Sequence, residues 1–548
     1  MNKGQPRTPK TNDALDAERN SAGAEHVSAT PPPAGPAELK LPTPSPKTPR
    51  QHAPEQDPAV RARNFTEVKL DFTLEQAQAE ALRCIRCKDP KCVEGCPVNV
   101  LIPDFLELIL LGDICGAADK IQETNLLPAI CGRVCQQENY CEKVCVVGLK
   151  RSPVAIGDLE RFVADYDMAV RGIRETPCDP PTGKKVAIIG SGPASLTCAS
   201  ELARLGHQAT VFEALHELGG VLVYGIPPFR LPREVLHAEI DRVRKMGVVF
   251  VTNFVVGMTC TIEELRKEYD AIFIGTGAGH PYLMDIPGED YLGVYTANEF
   301  LTRVNLLGGW KFPDCDTPIE VGKRVVVVGG GNSAMDAARV ALRMGPEKVY
   351  VFYRRSEVEM PARAEEVKHA MEEGIEFHFL AAPVKLEADA NNRIYRMQCI
   401  QMQLGDADAS GRRRPEPMLG SEFWMDVDTV IVAIGQGCNP IIQRTTPELR
   451  VTKRTTIQAD ERGETSLAGI FAGGDVIRGG STVLLAMKDG RRAAASIQEY
   501  LLAKESPVPT LPLSPVGHLP DGQAPATGGN AVSLSPMAPA TGGDASKH

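Results

Sequence analysis

The sequence predicts an α/β protein in which a helical, cysteine-bearing N-terminal domain is followed by two Rossmann-like dinucleotide-binding domains. Three observations carry this reading. From about residue 184 onward, apolar β-branched runs alternate with helical segments, the pattern of parallel strands joined by crossover helices. Two of those runs, KKVAIIGSGPAS at 184–195 and GKRVVVVGGGNSA at 322–334, pass straight into glycines. Ahead of them, nine of the fifteen cysteines fall between Cys84 and Cys145.

The chain of 548 residues, 43% hydrophobic and 24% charged, has material for about three domains. Its formal charge of -10 excludes the clustered Lys and Arg of a nucleic-acid footprint. The first residues hold no apolar stretch of signal-peptide length, and no run of about 18 apolar residues occurs anywhere, so a cytoplasmic protein is expected. Residues 1–55 and 506–548 are rich in Pro, Ala and Thr, too poor in apolar surface to offset chain entropy, and are expected to be disordered tails. APATGG occurs twice in the second, at 524–529 and 538–543. Between them the expected order is a helical cysteine domain at 56–178 and a first nucleotide domain at 179–320. A second, inserted nucleotide domain follows at 321–430, and the first is completed at 431–505.

The cysteines form two strings. Cys84, Cys87, Cys92 and Cys96, followed by Pro97, read C-x2-C-x4-C-x3-C-P, and Cys131, Cys135, Cys141 and Cys145 read C-x3-C-x5-C-x3-C. Eight thiols in two groups of four match the ligand demand of two 4Fe-4S clusters. A structural zinc pair is the competing reading, but zinc sites favour C-x2-C knuckles or histidines, and residues 84–160 contain no histidine. In two-cluster ferredoxin strings the cysteine before proline serves the other cluster. By that logic Cys84, Cys87 and Cys92 take Cys145 for cluster one, while Cys96 joins Cys135 and Cys141 in cluster two. The fourth ligand of cluster two stays open between Cys131 and a carboxylate further on. Cys115, alone on an apolar helix, is expected to pack as a small hydrophobe.

In the first nucleotide turn Gly190 makes the tight bend and Gly192 lets the backbone approach a pyrophosphate at the start of the next helix. Ser195 stands where a third glycine is usual. Glu213, 23 residues after Gly190, ends the next strand where a carboxylate accepts the adenosine ribose hydroxyls. AIFIGTGA at 271–278 and GIFAGGDV at 469–476, with Asp475, follow in the order of a two-domain flavoprotein, so FAD is expected here. Its expected contacts also include Pro193, Ala194, Gly220, Arg230, Thr276, Gly277, Gly474, Thr482 and Val483. The second turn carries Gly329, Gly331 and Ala334, and its second strand ends in Arg354 and Arg355 instead of an acid. Guanidinium groups bind a 2'-phosphate that an acid repels, which selects NADPH over NADH. Asn332, Ser333, Arg363 and Gly435 complete the expected NADP contacts. After Cys145 the thiols are scattered singly, so dithiol chemistry beside the flavin is not expected.

In order, CIRCKDPKCVEGCPV, AICGRVCQQENYCEKVC, VAIGDLERFVADY, GIPPFRLPREV, YRRSEVEMPARAEEV and AGGDVIRGGSTVLLAM resemble the small-subunit family of NADPH-dependent glutamate synthase, most closely its so-called homotetrameric type. That group includes the large subunit of NADH-dependent reduced ferredoxin:NADP oxidoreductase, and the N-terminal module of dihydropyrimidine dehydrogenase shares the layout. The resemblance covers about 56–503. It implies two 4Fe-4S clusters, FAD, and NADP(H) bound over the flavin. It also implies electron delivery to a second flavoprotein subunit, either a glutamate synthase large subunit or a ferredoxin-NADP reductase-like one, with ferredoxin as a further partner. Carried onto IGDLERF, it implies Glu160 as the fourth ligand of cluster two. Two departures are small: Cys135-Gln136-Gln137-Glu138 lacks the family's proline after cysteine, and Gly479-Gly480-Ser481-Thr482-Val483 stands for the usual GAATV.

Overall fold

The computed structural model describes residues 41–408 and 411–505; the expectations for residues 1–40 and 506–548, including the APATGG repeats, lie outside the described residues. The cysteine domain is built of short helices: α1 (Leu74–Ala81), α2 (Ile102–Leu110), α3 (Ile114–Gln122), α4 (Pro128–Val134) and α5 (Ile156–Arg171). Thr73 and Gln76 cap α1 reciprocally, each side chain accepting the other's backbone N–H at 3.2 and 2.9 Å. Ile102, Phe105, Leu106 and Ile109 put the apolar stripe of α2 into the core. A Cβ on Gly132 would lie 2.6 Å from the Arg161 Cα, so α4 and α5 meet at backbone distance. The turns between these helices carry most of the cysteines.

The segment 45–55, expected in the tail, is packed instead. Ser45 N donates to Leu82 O (2.8 Å), Arg83 Nε to Thr48 O (2.9 Å), and Arg50 to the buried Glu142 (2.8 Å). Partners some 30 to 90 positions away satisfy a stretch whose own composition could not.

Next come β1 (Lys185–Ile189), α6 (Pro193–Arg204), β2 (Gln208–Phe212), α7 (Arg233–Lys245), β3 (Val249–Val251), β4 (Ala271–Ile274) and β5 (Val294–Thr296). Then follow β6 (Arg324–Val328), α8 (Asn332–Arg343), β7 (Lys348–Tyr353), α9 (Ala364–Glu372), β8 (Glu376–Phe379), β9 (Ala381–Ala388), β10 (Ile394–Ala407), β11 (Arg413–Pro417), β12 (Phe423–Asp426), β13 (Thr429–Val432), β14 (Ile470–Ala472) and α10 (Val483–Glu505). One sheet has the order β14-β4-β1-β2-β3 and the other β5-β13-β6-β7-β8, both parallel throughout. The central strands KVAII and RVVVV are buried on both faces, which apolar β-branched runs require and only covered parallel sheets provide. A smaller antiparallel sheet, β9-β10-β11 with β12 also on β10, branches from the second domain.

The boundary expected at 320 moves forward. Val294 pairs with Val430, so β5 already belongs to the second sheet. A three-residue strand edged by Tyr291 and Asn298 has too little periodicity to announce its sheet.

Buried charges tie the three regions together. Arg61, 1% exposed, reaches Glu372 (2.5 Å) and Glu373 (3.2 Å) at the end of α9, while Arg339 and Arg343 of α8 bind Glu373 at 2.6 and 2.8 Å. Burial pushes the Glu373 carboxyl up, but hydrogen bonds from Arg339 and Arg343 hold it down at about 2. Phe229 lies under the same two guanidinium groups, at 4.7 and 3.9 Å. Removing one partner of such a buried set strands a charge, at a cost of about 3–5 kcal/mol.

Candidate functional site

Both glycine turns open into one cavity of about 900 Å³. Gly190 and Gly329 take positive φ (+92° and +147°), and a Cβ there would lie 2.7 Å from Gly275 O and 2.2 Å from Ala433 O. Gly192 and Gly331 differ: they line the cavity, yet an added Cβ would meet no protein atom within 4 Å. Protein packing does not demand glycine there, whereas a pyrophosphate lying on the N-termini of α6 and α8 does. Ser195 fills the place of the third glycine without strain, its hydroxyl donating to Gly275 O at 3.4 Å.

Every residue expected to touch FAD lines this cavity, from Gly190, Gly192, Pro193 and Ala194 through Glu213, Gly220 and Arg230 to Thr276 and Gly277. Gly474, Asp475, Thr482 and Val483 close the same wall. Glu213 is held by Ser191 N (2.8 Å), Ser191 Oγ (2.6 Å) and Leu215 N (2.8 Å), which fixes its carboxylate toward the cavity wall. Burial pushes the Asp475 carboxyl up, and Ser481 N and Oγ donate to it at 3.1 and 2.6 Å. Arg230 lines the wall but is already spent on Asp336 (2.7 Å) and Glu366 (2.9 Å). It joins the two nucleotide domains as well as facing the ligand space.

On the NADP side Gly329, Gly331, Asn332, Ser333, Arg354, Arg355 and Gly435 line the cavity. Arg354 is exposed, and among the described residues no ion pair or hydrogen bond holds its guanidinium. Arg355 is buried, donating to Arg413 O (2.7 Å) and Asp408 (2.9 Å). The cavity wall also includes Arg412, on the connection between β10 and β11, a third guanidinium that the sequence reading missed because it lies 57 positions beyond Arg355. Arg363 departs from expectation: it does not line this cavity, and its side chain turns to Arg133 O and Gln137 Oε1, both at 3.0 Å.

Cys84, Cys87, Cys92 and Cys145 line a single small cavity, as the crossed grouping requires. Cys96, Cys135, Cys141, Cys131 and Glu160 form the second group, each thiol within electrostatic reach of the carboxylate. Burial pushes the thiols of Cys84, Cys92 and Cys96 up to about 11, about 12 and about 11, so these pockets need a cation before they hold thiolates. Burial also pushes Glu160 up to about 7 against a 2.7 Å hydrogen bond from Asn125 Nδ2. A tetrahedral zinc would draw its thiolates to about 3.8 Å of one another. Among the described residues no three cysteine sulfurs come within 4.8 Å of one another, wider than a single tetrahedral zinc would hold them. The one group that does meet that limit, Glu55, His369 and Glu372, is bridged by Arg61 at 3.2 and 2.5 Å and is part of the ion-pair set above.

The cysteine domain enters the cavity wall. Val134 and Gln136, on either side of Cys135, line the same space as Ala194 and Thr482, and Tyr140, beside Cys141, shares a 2.8 Å hydrogen bond with Thr482. Nothing in the cysteine spacing signals this contact. No helix among the described residues is long and apolar enough to cross a membrane.

Comparison with known proteins agrees with this geometry. The model of dihydropyrimidine dehydrogenase domain II, 4Fe-4S cluster, matches residues 61–171, and that of pyridine nucleotide-disulphide oxidoreductase matches 184–490. The glutamate synthase [NADPH] small chain of Escherichia coli K12 is 38% identical over 464 residues, 82% of this chain and 97% of the relative. The NADP(+)-dependent formate dehydrogenase subunit beta of Moorella thermoacetica is 42% identical, but the match spans 75% of this chain and 60% of that protein. FprA, a Mycobacterium tuberculosis oxidoreductase, superposes with a TM-score of 0.50 at 20% identity, covering 60% of this chain and 86% of FprA, a likeness of fold.

Proposed function

Because the chain belongs to the glutamate synthase [NADPH] small-chain family, we propose that it is the electron-input subunit of such an enzyme, oxidising NADPH and supplying a large flavoprotein partner. It is an NADPH-dependent oxidoreductase whose cofactors are FAD and 4Fe-4S clusters. The observation that carries the proposal is the shared wall: the loop bearing Cys135 borders the cavity that both dinucleotide turns open into.

When bound, FAD takes an electron pair from NADPH as hydride, and the clusters accept single electrons. The chain's own residues place these groups. The Gly190–Gly192 turn and the N-terminus of α6 hold the FAD pyrophosphate, Glu213 its ribose, and Asp475 its ribityl chain. Gly329, Gly331 and α8 hold the NADP pyrophosphate, and Arg354 grips the 2'-phosphate with Arg355 and Arg412 beside it. Thr482 and Val483, at the start of α10, line the cavity where they would border the flavin ring, and Tyr140 braces Thr482 from the cysteine domain. Cys84, Cys87, Cys92 and Cys145 bind cluster one. Cys96, Cys135, Cys141 and Glu160 bind cluster two, the Glu160 carboxylate being within electrostatic reach of all three thiols, with Cys131 as the alternative fourth ligand. Cluster two then lies nearer the cavity, because Val134 and Gln136 on either side of Cys135 line its wall, and we assign cluster one the hand-over to the partner. We place the protein in the cytoplasm, where thiols stay reduced.

The coverage of 97% of the small chain against 60% of the formate dehydrogenase subunit favours the glutamate synthase setting over a formate dehydrogenase one. The test is reconstitution. The purified chain should oxidise NADPH with a viologen dye, yet form no glutamate from 2-oxoglutarate and glutamine until a glutamate synthase large subunit is added. Glutamate made by the isolated chain would refute the input-subunit assignment, and failure with the large subunit but success in ferredoxin-linked transhydrogenation would replace the partner.

A further inference from the structure

We propose that Arg363 is a positioning residue for cluster two and not an NADP ligand, and that its guanidinium raises that cluster's reduction potential. The proposal rests on the assignment of Cys96, Cys135, Cys141 and Glu160 to cluster two.

Arg363 starts α9, and only its main chain stays with the nucleotide turn: its N–H donates to Asn332 Oδ1 (2.8 Å), and Ala362 N to Gly330 O (3.2 Å). The side chain, 9% exposed, points the other way. It donates to Arg133 O and to Gln137 Oε1, both at 3.0 Å, and those residues stand two positions before and two after Cys135. Gln137 Nε2 turns back to Cys131 O and Gly132 O at 3.4 Å. One guanidinium thus clamps both ends of the segment that presents Cys135. Its charge is felt at that sulfur, and it pairs with Glu365 (2.9 Å) and Glu138 (3.3 Å); Lys69, paired with Asp158 and Glu365, and Arg230, paired with Asp336 and Glu366, share its surroundings with Glu67, Arg133, Arg161, Arg339 and His369. Reduction adds negative charge to the cluster, so a buried cation nearby favours the reduced form, and removing it also strands the two carboxylates.

The experiment is an anaerobic potentiometric titration of the full chain followed by EPR, with iron content and NADPH kinetics, for wild type, Arg363→Gln and Arg363→Lys. Arg363→Gln should lower the cluster-two midpoint so that the reduced-to-oxidised ratio at the wild-type midpoint falls about tenfold, 59 mV for a one-electron couple. Arg363→Lys, which keeps the charge, should recover most of that loss, and the NADPH KM should stay within about twofold in both. A tenfold rise in KM with an unmoved midpoint would overturn the proposal and return Arg363 to the nucleotide. Should Arg363→Gln not fold, Arg363→Lys decides: it must keep the wild-type midpoint and KM. A wild-type protein with no cluster-two signal refutes the cluster assignment itself, separately from the role of Arg363.

Discussion

Replacing Cys145 by alanine should cost the protein the same cluster as replacing Cys84, and iron should fall in each case from about eight to about four atoms per chain. The two residues are 61 positions apart in sequence, and only the crossed grouping puts them in one cavity with Cys87 and Cys92. Iron analysis with EPR of the two variants checks it: both should retain the signal of cluster two. Loss of the cluster held by Cys135 and Cys141 on replacing Cys145, with the Cys84 cluster kept, would mean that each string closes its own cluster. The effect is all-or-none because a buried pocket with three thiols has lost a corner of the cube, and burial already pushes Cys84 and Cys92 toward the neutral thiol once iron is gone.

The second large effect concerns the choice of nucleotide. Replacing Arg354 and Arg355 by alanine should raise the NADPH KM about tenfold or more, since charge-assisted hydrogen bonds to a phosphate contribute about 1.5–3 kcal/mol. NADH kinetics should barely change. Arg354 should carry most of the loss, because it is exposed in the cavity wall and unpaired among the described residues, while Arg355 is tied to Asp408 and to Arg413 O. Steady-state dye reduction with each single variant separates the two roles. Equal losses with NADPH and NADH would show that the pair braces the domain and does not select the cofactor.

The features legible in the sequence are those encoded by near neighbours. KVAII and RVVVV running into glycine announce a buried parallel strand and a nucleotide turn, and the four-cysteine strings announce clusters, because each signal is complete within about 15 residues. The proline after Cys96 is a local signal of the same kind, and Cys84, Cys87 and Cys92 share one small cavity with Cys145. Contacts made across hundreds of positions left no such trace. Arg363 follows an arginine pair at nucleotide spacing, yet its side chain is claimed by Gln137, 226 positions earlier. Arg61 carries no periodic signal, but it finds Glu373 across 312 positions. The segment 45–55 has the composition of a tail and is held by partners that composition cannot reveal, among them Glu142 and Leu82. Tyr140 reaching Thr482, 342 positions away, joins the cysteine domain to the flavin side, and no motif in either stretch points to the other.

The central claim is that electrons taken from NADPH leave through the cysteine domain. An acceptor protein is too wide to enter a cavity of about 900 Å³, so its electrons have to reach it through the cysteine domain. The direct measurement is anaerobic stopped-flow mixing of NADPH with the full chain and an oxidised glutamate synthase large subunit, compared with a Cys141→Ala chain that lacks cluster two. Flavin bleaching by NADPH in this chain should be alike in the two proteins, and reduction of the large subunit should be lost in the variant. A large subunit reduced at the wild-type rate by the cluster-deficient chain would contradict the account.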